Sequence, residues 1–535
     1  MGTYINKGNE GFRSAIESQY VDKTGMIAVI NKTLYTERRY TCVTRCRRFG
    51  KTIAAQMLCA YYDRSCDSRN LFEGLSISQP DKEGEDKQYE KHLNKYPTIC
   101  LDLTKFTTRY RNDDNIVKHI QEDVMREIIE TYPDVRTRDD DDLMEVLLRV
   151  AMQTGDRFIM LIDEWDAILR EYDKKPELVN EYIDLLRRMF KGDDSKRVFA
   201  GVYMTGILPI KKYKTQSALN TFREYSMVDP GHLSSFFGFT EKEVVMLSNL
   251  HGVDMESLKQ WYDGYKIGDE PSIYNPYSVM EAIYRNRCKN YWEKTGAYES
   301  VSDFIQMNYE GLKDDVIQML AGGRCRVNTT KFQNDISEVK CKDDVLTVLI
   351  HLGYLAYDWD TDECYIPNKE VGEEFANALE DTSWSQLIKA IQNSRDLLDA
   401  TLCGNETAVA KAIDFAHDED TSILSYNDEN SLACVLSIAY YYAKNDYIIH
   451  RELASGKGFA DLVLIPRRND DSPALVLELK YNKDADAAID QIKRKDYPAK
   501  VAEYTGDIML VGINYNKGGV EGKKHSCKIE RYTKT

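Results

Sequence analysis

The 535-residue chain carries 88 acidic side chains against 71 Lys and Arg, a formal net charge of -17, with 42% apolar and 30% charged residues. Such a length exceeds one ordinary core and predicts several domains, and the composition excludes a disordered or membrane-embedded chain. The acidic balance also excludes a protein that coats nucleic acid indiscriminately, because a polyanion is repelled except where a local basic groove focuses the field.

No signal-peptide pattern opens the sequence and no apolar run reaches the roughly 18 residues of a membrane span, so the expectation is a cytoplasmic protein with no membrane partner. The 12 cysteines are scattered singly, without a C-x-x-C pair, and point to reduced thiols rather than a disulfide framework or a zinc site.

In chain order, the first strand-like run is "YTCVT" from Tyr40, followed by the basic turn "RCRRFGKT" and a helical segment. A strand feeding a tight turn that opens a helix aims backbone N–H groups and the positive helix end at an anion. Gly50 permits close backbone approach, Lys51 reaches β- and γ-phosphates, and Thr52 offers a hydroxyl to Mg2+. Arg45 stands where the general phosphate-loop pattern has its first glycine. Arg47 and Arg48 pair either with phosphate or with nearby acids.

Apolar strands "TICLDL", "RFIMLID" and "VFAGVYMTGI" then alternate with amphipathic helical stretches, which predicts a parallel sheet with crossover helices. Asp163 and Glu164 emerge at the C-terminal end of a buried strand, where open α/β sheets bind ligands. Asp163 is the candidate magnesium ligand and Glu164 the residue that polarises the attacking water. Thr205 ends the next strand, either as a γ-phosphate sensor or as an ordinary surface threonine. Beyond it, Thr240-x-x-Glu243 forms a capping box, and two turn-rich clusters follow in "LKQWYDGYKIGDEPSIYNPYSVMEAI". Together these suit a small winged or helical lid.

The segments "YVDKT" at Tyr20–Thr24, "RCRRFGKT", "LIDEWD", "LNTFREYSM", "FFGFTEKEV" and "WYDGYKIG…YNPYS" make residues 1 to 280 resemble the predicted AAA-ATPase-like proteins of bacteria. Members typically carry R-x-R-R-F-G-K-[ST], so by this resemblance Arg45 belongs to the family's own phosphate loop and the domain binds ATP and Mg2+. Arg223 in "NTFREYSM" is either a trans-acting finger or a surface ion-pair partner.

The last hundred residues return to strands, "YIIHREL", "FADLVLIP" and "ALVLELKY", then a helix through "DADAAIDQIKRKDY" and the strand "DIMLVGINY". Asp461 and Glu478 lie at matching stages of adjacent strands, and the period of two puts Lys480 on the face of Glu478. Paired carboxylates are hard oxygen ligands for Mg2+, and a nearby ammonium orients water or counters charge on a scissile phosphate. This D…E-x-K pattern resembles the PD-(D/E)XK nuclease superfamily, in the variant that commonly follows the ATPase family. The resemblance implies Glu429 as an auxiliary acid and Gln491 with Tyr497 as a Q-x-x-x-x-x-Y feature of the following helix. Glu452 is an auxiliary acid or a turn cap, and Lys493–Lys495 touch a nucleic-acid backbone or form a solvated face.

The expected architecture is therefore α/β: a P-loop NTPase parallel-sheet domain over 1–235, a helical or winged lid over 236–290, a helical connection over 291–424 and a PD-(D/E)XK-type α/β unit over 425–535. The expected function is ATP binding and hydrolysis joined to Mg2+-dependent cleavage of nucleic acid, DNA before RNA, with Mn2+ as a substitute at the nuclease site; the sequence leaves the assembly open between a monomer and a homo-oligomer. The alternative is a nucleotide-gated sensor whose nuclease-like unit recognises without cutting.

Overall fold

The computed structural model describes every residue except 1, 80–87, 112, 211–218, 293–303, 306, 308, 321–322, 331, 333–338, 381–384, 421–439, 445–446, 456–457, 468–471, 495–506, 517–523 and 533–535. Its contacts divide the chain into two compact units, Met1–Glu293 with Arg326–Val371, and Lys294–Cys325 with Gly372–Thr535.

The first unit is built on strands β1 (Tyr40–Thr44), β2 (Thr98–Asp102), β3 (Phe158–Asp163), β4 (Phe199–Gly206) and β5 (Arg223–Tyr225), ordered β2-β3-β4-β1-β5 and all parallel. β1, β3 and β4 are buried along their whole length, which is why they read as continuous apolar runs. Alternation divides their side chains between two faces. Ile159 and Leu161 pack with helix α1 (Lys51–Tyr62), whereas Phe158, Met160 and Ile162 pack with α2 (Ile116–Thr131), α3 (Leu143–Thr154) and α5 (Pro176–Phe190), α4 (Ala167–Glu171) lying between β3 and α5. Because β4 sits between β1 and β3, residues at the ends of all three strands converge on one edge.

The predicted capping box is formed at the start of α6 (Glu241–His251): Glu243 N donates to Thr240 Oγ1 and Thr240 N to Glu243 Oε2. The lid is winged. Strands β6 (Phe239–Thr240), β7 (Tyr265–Ile267) and β8 (Glu270–Tyr274) form a sheet ordered β6-β8-β7, followed by α7 (Pro276–Arg285), which Asn275 caps. Further along, the expected helical connection contains an antiparallel hairpin, β9 (Ala356–Asp358) with β10 (Glu363–Tyr365). Strands this short leave too little period-two pattern to be read from sequence.

The second unit carries helices α8 (Ser385–Leu402) and α9 (Glu406–Asp420) and a sheet of β11 (Tyr447–Ser455), β12 (Gly458–Pro466), β13 (Ala474–Tyr481), β14 (Ile508–Tyr515) and β15 (His525–Tyr532), in sequential order. Only β13 and β14 are parallel, and helix α10 (Ala485–Arg494) makes their crossover. β15 was not anticipated: it is an edge strand of sequence "HSCKIERY" whose middle is only half-buried, so charge hides its periodicity. Leu475, Leu477 and Leu479 pack beneath α8 and α9, and Ala474 and Val476 pack against Ile489 and Ile492 of α10. The alternation therefore leaves Glu478 and Lys480 on the α10 face. Among the described residues, no helix is long and apolar enough to cross a membrane.

Candidate functional site

The turn after β1 reaches α1 through Gly50, whose φ of 86° is left-handed; a Cβ there meets nothing within 4 Å, so backbone conformation rather than space calls for glycine. Arg48 also takes a left-handed φ, 69°, an uncommon conformation for a long side chain. Its guanidinium lies 3.9 Å from the centroid of the Tyr277 ring in the lid and bonds the Tyr291 carbonyl at 3.5 Å. The expected phosphate partner is thus engaged by the lid. Phe49 meets Tyr265 edge-on and accepts from Gly238 N at 3.2 Å, so the loop is also packed from outside.

Lys51 is buried at 4% exposure; Nζ donates to the Cys46 carbonyl at 3.1 Å and lies 3.6 Å from Glu164 Oε1. Both partners stand where phosphate oxygens would compete for the ammonium. Asp163 is 7% exposed, and burial pushes its carboxyl up to about 6 despite a bond from the Thr52 hydroxyl. A buried carboxylate beside a hydroxyl is an oxygen pair that a hard divalent cation stabilises in its ionised form, so these residues fit Mg2+. Thr205 is fully buried, and its Oγ1 has no partner among the described residues.

Glu164 is drawn two ways, toward Arg170 and toward Lys51. Its backbone has φ 51°, and its carboxylate lies 2.6 Å from Arg170 Nη2 as well as near Lys51. Arg170 also holds the fully buried Asp166 at 3.0 Å, and Asp166 accepts from Ile207 N and Leu208 N just past β4. A Cβ on Gly206 would lie 2.5 Å from Asp166 Oδ1, so glycine is required for that carboxylate to reach the strand end. Burial and the like charge of Arg170 lower the Arg47 pKa, with Glu164 pulling the other way, which places Arg47 beside this cluster. Sequence reasoning missed Arg170 and Asp166. Asp166 stood in the quoted "LIDEWD", but nothing in its spacing forecast a bond to the turn after β4.

Arg45 is also fully buried. Nη1 donates to the Thr44 and Tyr225 carbonyls, both at 2.9 Å, and burial lowers its pKa to about 10. Nε and Nη2 find no partner among the described residues. Arg45 therefore ties β1 to β5 instead of lining the phosphate loop. Arg223 is exposed on β5, bonded to Tyr225. The "VDKT" segment is scaffolding: Asp22 accepts from Ser76 and Thr24, and Lys23 bridges to Glu243 at 2.7 Å.

In the second unit, register organises the acids. β12 and β13 pair Leu462 with Leu477, and one further step puts Asp461 opposite Glu478. The pairs Arg451–Leu462 and Leu453–Ala460 flank Glu452 opposite Asp461, while Glu478 faces Gly512 on β14. Glu452, Asp461, Glu478 and Gly512 thus form one row across four strands. Gly512 is where α10 descends: a Cβ there would lie 2.4 Å from the Ala485 carbonyl. Glu478 and Lys480 are 2% and 6% exposed; Lys480 Nζ donates to Glu478 Oε1 at 3.0 Å and to Leu479 O at 2.8 Å. Gln491, on α10, donates to the same Glu478 oxygen. The side chains of Glu452 and Asp461 lie outside the described residues; by register their positions join Glu478 in a row of carboxylates, the hard oxygen donors a divalent metal takes. Glu429, Tyr497 and Lys495 lie outside the described residues.

A parallel sheet ordered β2-β3-β4-β1-β5, with a phosphate loop after β1 and acids after β3, defines a P-loop ATPase-type domain, and the second sheet is of the nuclease type. Residues 9–215 match the family model described as Predicted AAA-ATPase, and residues 427–523 match that of the PD-(D/E)XK nuclease superfamily. The chain thus joins a domain of the predicted AAA-ATPase family to a C-terminal domain of the PD-(D/E)XK nuclease superfamily. It is also similar to an uncharacterized protein in the vnfD 5' region of Azotobacter chroococcum mcd 1, with 25% identity over 302 residues, 55% of this chain and 54% of that protein. The chain spans about half the length of that curated relative.

Proposed function

We propose that this protein binds and hydrolyses Mg-ATP at its first site and cleaves nucleic-acid phosphodiesters at its second, in the cytoplasm. The observation that carries the proposal is the burial of Glu478 and Lys480 as a 3.0 Å pair, with Asp461 opposite Glu478 by register. Lys480 is held where it can counter charge on a scissile phosphate or fix a water, and Gln491 steadies the carboxylate. Asp461 and Glu478 would hold Mg2+ or Mn2+, which when bound lowers the pKa of water and neutralises the phosphate.

At the first site, the N-terminus of α1 and Lys51 bind the phosphates, Thr52 and Asp163 hold Mg2+, and Glu164 orients water. Arg170 supports a second reading, a slow ATPase used as a sensor. Its 2.6 Å bond to Glu164 restrains that carboxylate and competes with a water for it, so ATP would be held longer than it is cleaved.

The experiment is cleavage of single- and double-stranded DNA and RNA with Mg2+ or Mn2+, by wild type and by Glu478→Ala. Metal-dependent cleavage that disappears in the variant supports the nuclease. Cleavage that persists in the variant rejects this site, and no cleavage by wild type transfers weight to the sensor.

A further inference from the structure

Beside the Thr52–Asp163 pair lies a cavity of about 120 Å³, bounded by α1, β2 and the segment around Lys7. Thr52, Gln56 and Cys59 recur along one face of α1 at helical spacing and line one wall. The opposite wall is strand: Cys100 and Asp102 share a face of β2 and lie in register with Leu161 and Asp163 of β3. Across this cavity the Cys59 and Cys100 sulfurs are 3.0 Å apart. Cys59 is buried, and Cys100 is half-buried.

We propose that Cys59 and Cys100 are an oxidisable dithiol that closes to a disulfide under peroxide and thereby weakens Mg-nucleotide binding. The regulatory half rests on the phosphate-loop reading above. A disulfide needs sulfurs about 2.05 Å apart, so closure asks for roughly 1 Å of movement. The cavity has room for peroxide, since a water molecule's share of liquid volume is about 30 Å³.

The chemistry balances without any further reactant. The more accessible Cys100 attacks hydrogen peroxide as thiolate, breaking the O–O bond to give a sulfenic acid and, with a proton, one water. Cys59 sulfur then attacks the sulfenic sulfur, and the departing hydroxyl takes the Cys59 proton as a second water. The contact with Cys100 and burial both raise the Cys59 pKa, which assigns it the resolving step. In a reducing compartment such a bond forms only on challenge, as for a sensor rather than a structural staple.

The consequence follows from the shared walls. Drawing Cys100 toward α1 moves the face that carries Asp102 and, through the β2–β3 register, Asp163; it also pulls on the helix face that carries Thr52. The oxygen pair suited to Mg2+ is therefore displaced.

The test treats the full chain with hydrogen peroxide, blocks remaining thiols and digests with trypsin. Cys59 and Cys100 fall in separate single-cysteine peptides, Thr52–Arg64 and Tyr96–Lys105. The expected product is these two peptides linked, absent from Cys100→Ser and reversed by dithiothreitol. Both peptides blocked singly after peroxide, or Cys59 linked to Cys66, overturns the pair. In parallel, the Mg-ATP Kd of wild type, read with a fluorescent ATP analogue, should rise about fivefold or more on oxidation, and that of Cys100→Ser should not. A linked peptide with unchanged Kd overturns the regulatory half alone. A reduced wild type that binds no nucleotide removes that half together with the phosphate-loop reading.

Discussion

The two sites handle buried charge in opposite ways. In the first unit the charges beside the loop form a chain of protein partners: Lys51 with Glu164, Glu164 with Arg170, Arg170 with Asp166, and Asp166 with the backbone after β4. A ligand there has to displace internal partners, which makes the site selective and gives it a resting state. In the second unit Lys480 contacts Glu478 at 3.0 Å, and the register sets Asp461 and Glu452 in the same row. That row is the place proposed for a divalent cation. The first site is therefore expected to respond to nucleotide by rearranging its ion pairs, and the second to respond to metal by completing its charge.

Breaking this contrast has its largest effect at the nuclease-type sheet. Glu478→Ala should abolish cleavage, and Lys480→Ala should lower kcat about 10²–10³-fold, the usual loss for one preorganised charge stabiliser. Circular dichroism should meanwhile report an intact fold; equal cleavage by Lys480→Ala would remove that residue from the mechanism.

Next in size is a pH effect at Asp163. Its folded-state pKa, about 6, lies above its ordinary value of 3.8, so between about pH 4 and 6 the folded chain holds a proton that the unfolded chain has lost. Metal-free stability should therefore fall as pH rises through that window, by something on the order of 3 kcal/mol. Denaturant unfolding of Asp163→Asn should lack this fall, and Mg2+ should reduce it in wild type. A flat wild-type profile from pH 4 to 7 contradicts the assignment.

Lys51→Ala should cost about 1.5–3 kcal/mol of nucleotide affinity, roughly ten- to a hundredfold in Kd, since it deletes a charge-assisted contact. Calorimetry with unchanged Kd would reject the loop. The smallest effect belongs to the lid: Tyr277→Ala removes the ring beneath Arg48 and should lower unfolding stability by about 0.5–2 kcal/mol. A loss far above this range would mean that the lid contact holds the whole loop.

How much of this was legible depended on the physics of each part. β1, β3 and β4 are buried on both faces, so they stood out as apolar runs, and the acids at their ends could be placed. Gly50-Lys51-Thr52 was readable because that chemistry is local. What was hidden is long-range: β4 lying between β1 and β3, Arg45 reaching Tyr225, Arg48 reaching Tyr277 and Arg170 spanning Glu164 and Asp166. Each joins residues that no local periodicity relates. In the second unit the strands carrying Asp461 and Glu478 were visible, but the glycine that admits α10 at Gly512 and the charged edge strand β15 were not.

The measurement that tests the central claim most directly is Mg2+-dependent cleavage by wild type, Glu478→Ala and Lys51→Ala, each with and without ATP. The account predicts that wild type cuts, that Glu478→Ala is silent in every condition, and that Lys51→Ala, altered only at the other site, still cuts. Cleavage by Glu478→Ala equal to wild type would contradict it.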